Sequence, residues 1–109
     1  MPLFVVLVNW TDQGLRNMKG TPIRVEDVHR IAAEVGGKVQ IYYTLGQYDT
    51  VSILDVPDDK ALIKYLSYIG SQGNARTKTL KAWTEDEAAK LLADLTEDKT
   101  SKILTEIEK

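Results

Sequence analysis

Four segments of the chain carry the apolar patterns that predict β-strands. Residues 3–8, Leu-Phe-Val-Val-Leu-Val, are apolar at every position, a pattern typical of a strand covered on both faces. Residues 39–45 alternate between apolar and polar, and residues 48–56 are rich in β-branched side chains. Residues 75–83 alternate with Thr, Lys and Arg, so one side of that strand is expected to face solvent. The first strand is therefore predicted to lie in the middle of a sheet.

Apolar residues three and four positions apart predict three helices after residues 21, 58 and 84. Thr21 is the expected N-cap of the first helix, with Pro22 in its first turn. Asp58 is placed to cap the second helix. Thr84 and Glu87 match a capping box at the start of the third. The polar segment between residues 9 and 21 carries no such period and is expected to form a loop.

The element order β-α-β-β-α-β, followed by a helix, is that of a ferredoxin-like α+β sandwich. It predicts a four-stranded antiparallel sheet in the order 4-1-3-2, with the helices on one face. The other face carries apolar residues of the first and third strands, so we expect a homodimer or larger homo-oligomer packed sheet against sheet. We assign residues 1–95 to this domain and residues 96–109 to a charged C-terminal extension that could hold a short helix.

The same topology brings three polar segments, residues 9–12, 46–49 and 73–76, to one end of the sheet. Side chains suited to ligand binding meet at this rim, where the first strand ends and the third and fourth begin. The predicted ligand-binding residues are Trp10, Thr11, Asp12, Tyr48, Asp49, Asn74 and Arg76.

Composition narrows the chemistry that such a site could perform. The chain has no cysteine and one histidine, which excludes thiol nucleophiles, multi-Cys zinc sites, Fe–S clusters and most His-rich metal sites, and we expect no metal site. A net charge of −2 and the lack of a basic stripe argue against binding to nucleic acid. No apolar segment is long enough to span a membrane. We expect no cofactor, and a cytoplasmic location because no export signal is visible.

Three short motifs in these segments resemble the GYD-domain family, which is named for a Gly-Tyr-Asp signature. Gly46, Tyr48 and Asp49 stand in the sequence Gly-Gln-Tyr-Asp. Residues 6–14, Val-Leu-Val-Asn-Trp-Thr-Asp-Gln-Gly, and residues 73–82, Gly-Asn-Ala-Arg-Thr-Lys-Thr-Leu-Lys-Ala, support the match. The resemblance covers roughly residues 1–95. It implies a dimeric ferredoxin-like α/β-barrel fold but no particular reaction.

Four of the residues considered have a structural interpretation as well as a functional one. Gly46 is expected to supply a positive φ in a turn, and Asp49 to bind backbone amides of that turn. Arg76 could pair with Asp49 or Asp12, or bind an anionic ligand. His29 is expected to be half-buried at the margin of the first helix's apolar stripe.

Three functions remain open at this point. The first is a homo-oligomeric small-molecule binding or regulatory module with its site at the rim. The second is a cofactor-independent, oxygenase- or isomerase-like enzyme acting on a small aromatic or enolisable substrate. In that enzyme Asp49 or His29 would act as the base, Tyr48 and Arg76 would stabilise an oxyanion, and Trp10 would form a wall. The third is a structural assembly protein.

Overall fold

The strands form one antiparallel sheet in a computed structural model that describes residues 2–94. They are β1 (Leu3–Trp10), β2 (Lys38–Tyr43), β3 (Thr50–Asp55) and β4 (Ala75–Ala82). Their order is β2-β3-β1-β4, which is the predicted order read from the other edge. The chain therefore adopts the expected α+β sandwich, with β1 in the centre of the sheet. The proposed extension at residues 96–109 lies outside the described residues.

The helices follow the predicted order, with two short additions before α2. Helix α2 spans Thr21–Glu34, α3 spans Asp59–Ser71 and α4 spans Glu85–Asp94. The segment expected to be a loop contains the short helix α1 (Asp12–Arg16) and a 3-10 turn (Met18–Gly20). That expectation was wrong because α1 has no apolar period of its own and is held by contacts with distant parts of the chain.

The starts of the helices confirm two of the three predicted caps. The side chain of Asp58 accepts a hydrogen bond from the Ala61 amide at 2.8 Å. Thr84 and Glu87 exchange reciprocal backbone–side-chain bonds of 3.0 and 3.1 Å, which is a capping box. The prediction for Thr21 was wrong, since Thr21 is already helical and the N-cap is Gly20, which has no side chain to cap with.

The turn between β2 and β3 is longer than predicted, because β2 ends two residues earlier, at Tyr43, and β3 begins two residues later, at Thr50. The Thr44 hydroxyl donates to the Tyr48 carbonyl at 2.6 Å, and the Thr44 amide donates to the Asp49 carbonyl at 3.0 Å. Gly46, at the tip, has a φ of +117°, the positive value expected for it. These local bonds form a turn over residues 44–49. Strand β4 likewise ends one residue early, at Ala82.

The core lies between the helices and one face of the sheet. Phe4 and Val6 of β1 are buried there against Leu54, Val56 and Tyr65. The opposite side, which we call the open face, carries Leu3, Val5 and Leu7 of β1, all half-buried, together with their neighbours on β3 and β4. The apolarity of β1 on both sides therefore supplies the core on one side and an uncovered apolar surface on the other.

Candidate functional site

The strand register brings the three predicted segments to one end of the sheet. Asn9 lies opposite Arg76, and Trp10 lies opposite Ala75. The Asp49 amide donates to the Val8 carbonyl at 2.9 Å, which places the β2–β3 turn beside the end of β1. The topological argument for a common rim is therefore confirmed.

An open concavity of about 670 Å³, which we call the rim groove, lies at this end of the sheet. Strands β1 and β4 form its floor, and the β2–β3 turn and the start of α1 form its sides. Its lining residues are Leu7, Asn9, Trp10, Thr11, Asp12, Tyr48, Arg76, Thr77 and Lys78.

Thr11 joins the start of α1 to the turn before β4. Its hydroxyl accepts a hydrogen bond from the Gly14 amide at 3.1 Å, so Thr11 is the N-cap of α1. The same hydroxyl donates to the Gly73 carbonyl at 2.6 Å, and the Thr11 amide donates to the Asn74 carbonyl at 3.1 Å. Thr11 thus fixes one wall of the rim groove by three bonds.

Helix α1 approaches the same turn too closely for any side chain at Gly14. A Cβ at this position would overlap the carbonyl oxygen of Asn74. Beside it, the Gln13 side-chain amide donates to the Gln72 carbonyl at 3.0 Å and to Asn74 Oδ1 at 3.1 Å. The amide of Asn74 therefore helps to hold α1 and does not line the rim groove.

The carboxylate of Asp49 has a structural partner. Its Oδ2 accepts a hydrogen bond from the backbone N–H of Trp10 at 2.9 Å, a contact across 39 residues of sequence. This differs from the expected bond within the turn. Asp49 does not line the rim groove, so its position favours a structural role over that of a base.

Two cations in the rim groove have no carboxylate partner in the described part of the chain. Across residues 2–94, the ion pairs join Arg30 to Asp27 and to Glu34, and none involves Arg76 or Lys78. Of the alternatives considered for Arg76, the pairing with Asp49 or Asp12 is therefore not formed in the described residues. The ammonium of Lys78 lies 6.0 Å from the centre of the Tyr48 ring. The groove thus offers two positive charges and the ring of Tyr48, with Asp12 as its acid.

The predicted site residues fall into three groups. Those that line the rim groove are Trp10, Thr11, Asp12, Tyr48 and Arg76. Asp49 and Asn74 lie behind it as supports. His29 is exposed on α2, which corrects the expectation of a half-buried side chain, and it does not line the groove.

Sequence reasoning missed a second cavity, of about 120 Å³, between the sheet and helices α2 and α3. We call it the interior cavity. Its wall is mainly apolar and aromatic, and Arg24 and Asp27 are its charged residues. The other lining residues are Val6, Val8, Trp10, Thr21, Val25, Val28, Ile41, Tyr43, Thr50, Ser52, Tyr65, Tyr68, Ile69, Gln72, Asn74 and Ala75. Thr50 and Ser52 occupy buried positions of β3. Two hydroxyl residues at core-facing positions of one strand were the feature of the sequence that could have indicated this cavity.

Tyr65 lies at the wall of the interior cavity and is only 1% exposed. Burial raises the pKa of its hydroxyl well above the ordinary value of 10.0, because phenolate loses solvation there. Tyr65 is therefore neutral at physiological pH and can donate a hydrogen bond.

Other site types find no support in the described residues. Among residues 2–94, no group of three or more His, Cys, Asp and Glu side chains is placed to hold a metal ion. None of the helices in this range has the length and apolarity needed to cross a membrane.

Comparisons with known proteins agree with this architecture. The sequence model of the GYD domain matches residues 4–92. The chain is 31% identical, over 84 residues, to the glutamine synthetase and cystathionine beta-lyase binding protein of Thermus thermophilus, covering 75% of this chain and 88% of that protein. The crystal structure of TTHA0845 from Thermus thermophilus superposes with a TM-score of 0.50 at 23% identity, covering 77% of this chain and 95% of that one. That likeness extends to the fold alone.

Proposed function

Because the chain belongs to the GYD domain family, we propose that it is a homodimeric binding module that recognises a small anionic molecule in the rim groove. The observation that carries this proposal is the pair of cations, Arg76 and Lys78, beside the ring of Tyr48. Neither cation forms an ion pair within residues 2–94. An arginine that spends no donors on the protein keeps its planar fork for a carboxylate or phosphate.

The open face supports the dimeric part of the proposal. Val5 lies between Ile53 and Leu80 in the strand register, and Leu7 lies beside Val51. Leu80 is 52% exposed in the single chain. A stable sheet-to-sheet interface should remove at least about 1,000 Å² of surface in total. Since the rim groove opens on the same face, the partner subunit would close it from above.

Sedimentation tests the dimer. We expect a dimer at micromolar concentration and a shift to monomer in Leu80→Lys, because lysine places a charge in the apolar seam. Ile63→Lys is the matched control, since Ile63 is 65% exposed but lies on α3, behind the sheet. A parent chain that sediments as a monomer, or equal effects of the two substitutions, would contradict the dimer.

Tryptophan fluorescence tests the rim groove. The chain has two tryptophans, so Trp83→Phe leaves Trp10 as the sole reporter. We expect citrate or inorganic phosphate to change its emission saturably. Arg76→Lys should keep the fold and weaken the binding, and Arg76→Ala should abolish it. A response to either anion that persists in Arg76→Ala would refute the role of Arg76.

Protein binding is a second candidate function, favoured by the name of the Thermus thermophilus relative, which describes binding to two enzymes. Helix α4 supports it, because Leu91 and Leu92 are exposed. Gel filtration of the chain mixed with purified glutamine synthetase tests this candidate. We expect co-elution that is lost when both leucines are replaced by serine. Separate elution of the two parent proteins would exclude glutamine synthetase as the partner.

A further inference from the structure

The interior cavity lies on the opposite side of the sheet from the rim groove, and Trp10 lines both of them. We propose that the interior cavity binds a monocyclic phenol, meaning one aromatic ring that carries a hydroxyl group. The cavity lies on the helix-covered side of the sheet, between β1, β2, β3 and the helices α2 and α3. The proposal does not depend on the anion site in the rim groove.

The size of the interior cavity fits one ring. Its volume is about 120 Å³, compared with roughly 150 Å³ for an engineered apolar cavity in another protein that holds benzene. The volume therefore accommodates a single ring with few substituents.

The walls of the cavity fit the faces of such a ring. Val28 of α2 and Ile41 of β2 supply aliphatic surface. Trp10, Tyr43 and Tyr68 supply aromatic surface, and the Trp10 and Tyr43 rings are tilted by 56° with their centres 6.2 Å apart. Tilted aromatic groups give edge-to-face contacts to a ring placed among them.

Three hydroxyls of the wall can bind the hydroxyl group of the ligand. Among the polar lining residues, which also include Arg24, Asp27 and Asn74, only Thr50, Ser52 and Tyr65 are buried. Within residues 2–94 none of these three hydroxyls makes a side-chain hydrogen bond. In the same range, every polar side-chain atom that is fully enclosed has a hydrogen-bond partner. Hydroxyls that lack a protein partner therefore face accessible space, which for these residues is the cavity. A phenol can both donate to and accept from such groups, while benzene can do neither.

Titration with phenol and benzene tests the proposal, with binding followed by the methyl NMR signals of Val28 and Ile41. We expect phenol to bind saturably and about five- to tenfold more tightly than benzene, the preference given by one net hydrogen bond. Tyr65→Phe should reduce that preference while benzene binding is retained. Tyr42→Phe is the matched control, because Tyr42 is exposed on the open face, and it should leave the preference unchanged.

A second variant tests the location independently of Tyr65. Val28→Phe adds volume to the wall of the interior cavity and should abolish the binding of both probes. The proposal is overturned if neither probe perturbs the Val28 and Ile41 signals. It is also overturned if phenol and benzene bind equally well to the parent chain, or if Val28→Phe folds and still binds both.

Discussion

The substitution Gly14→Ala tests how α1 is attached to the rest of the fold. The Cβ of alanine would overlap the carbonyl oxygen of Asn74, with the carbonyl carbon 3.0 Å away and the Asn74 Cα 3.3 Å away. All three are backbone atoms, so no side chain can rotate to make room. Either α1 or the turn before β4 has to move.

The expected cost follows from these contacts. Overpacking against a rigid neighbour costs about 1–3 kcal/mol, and the movement also strains the bond from the Thr11 amide to the same Asn74 carbonyl, worth about 1 kcal/mol. Alanine returns up to about 1 kcal/mol through its better helix propensity. The net loss in the free energy of unfolding is about 1–4 kcal/mol, and each kcal/mol lowers Tm by about 4–8 °C for a domain of this size.

Urea denaturation and calorimetry measure this loss. Gly70→Ala is the matched control, because no atom lies within 4 Å of a Cβ placed at Gly70 in α3. That variant should be as stable as the parent chain or more so. If Gly14→Ala melts at the parent temperature, then α1 does not pack on the Asn74 carbonyl and the account of the rim groove wall is wrong.

Three further predictions concern the turn, the rim and the core. Gly46→Val should lower Tm because valine is strained at a φ of +117°, although no atom lies within 4 Å of its Cβ; an unchanged Tm would show that the turn relaxes freely. Asp49→Ala should cost about 1–3 kcal/mol in urea denaturation by leaving the Trp10 amide unpaired, and Asp49→Asn should cost less because it keeps an acceptor; equal losses would contradict that bond. The raised pKa of Tyr65 makes its contribution to stability complete below the ordinary value of 10.0, and that contribution is lost as the pH rises above this value. Between about pH 9 and pH 11 the free energy of unfolding should therefore fall less in Tyr65→Phe than in the parent chain. Parallel pH profiles of the two proteins would contradict the raised pKa.

The positions of the main elements could be predicted because their patterns are local. Residues 3–8 are apolar on both sides, and only a central strand can use both faces in that way. The helical stripes of α2 and α3, and the capping box at Thr84, are likewise written within a few neighbouring residues. Once the order of elements was known, topology alone predicted that Tyr48 and Arg76 would lie at the same rim, and both line the rim groove.

Only the tertiary structure decided the features that depend on contacts between distant residues. A helix of five residues such as α1 has too little propensity to form alone, and it exists because Thr11 and Gly14 meet a turn about sixty residues away. The acceptor role of Asp49 likewise depends on Trp10, which no local pattern links to it. The interior cavity is the space left where two layers meet, so its volume is a property of their packing and of no single segment.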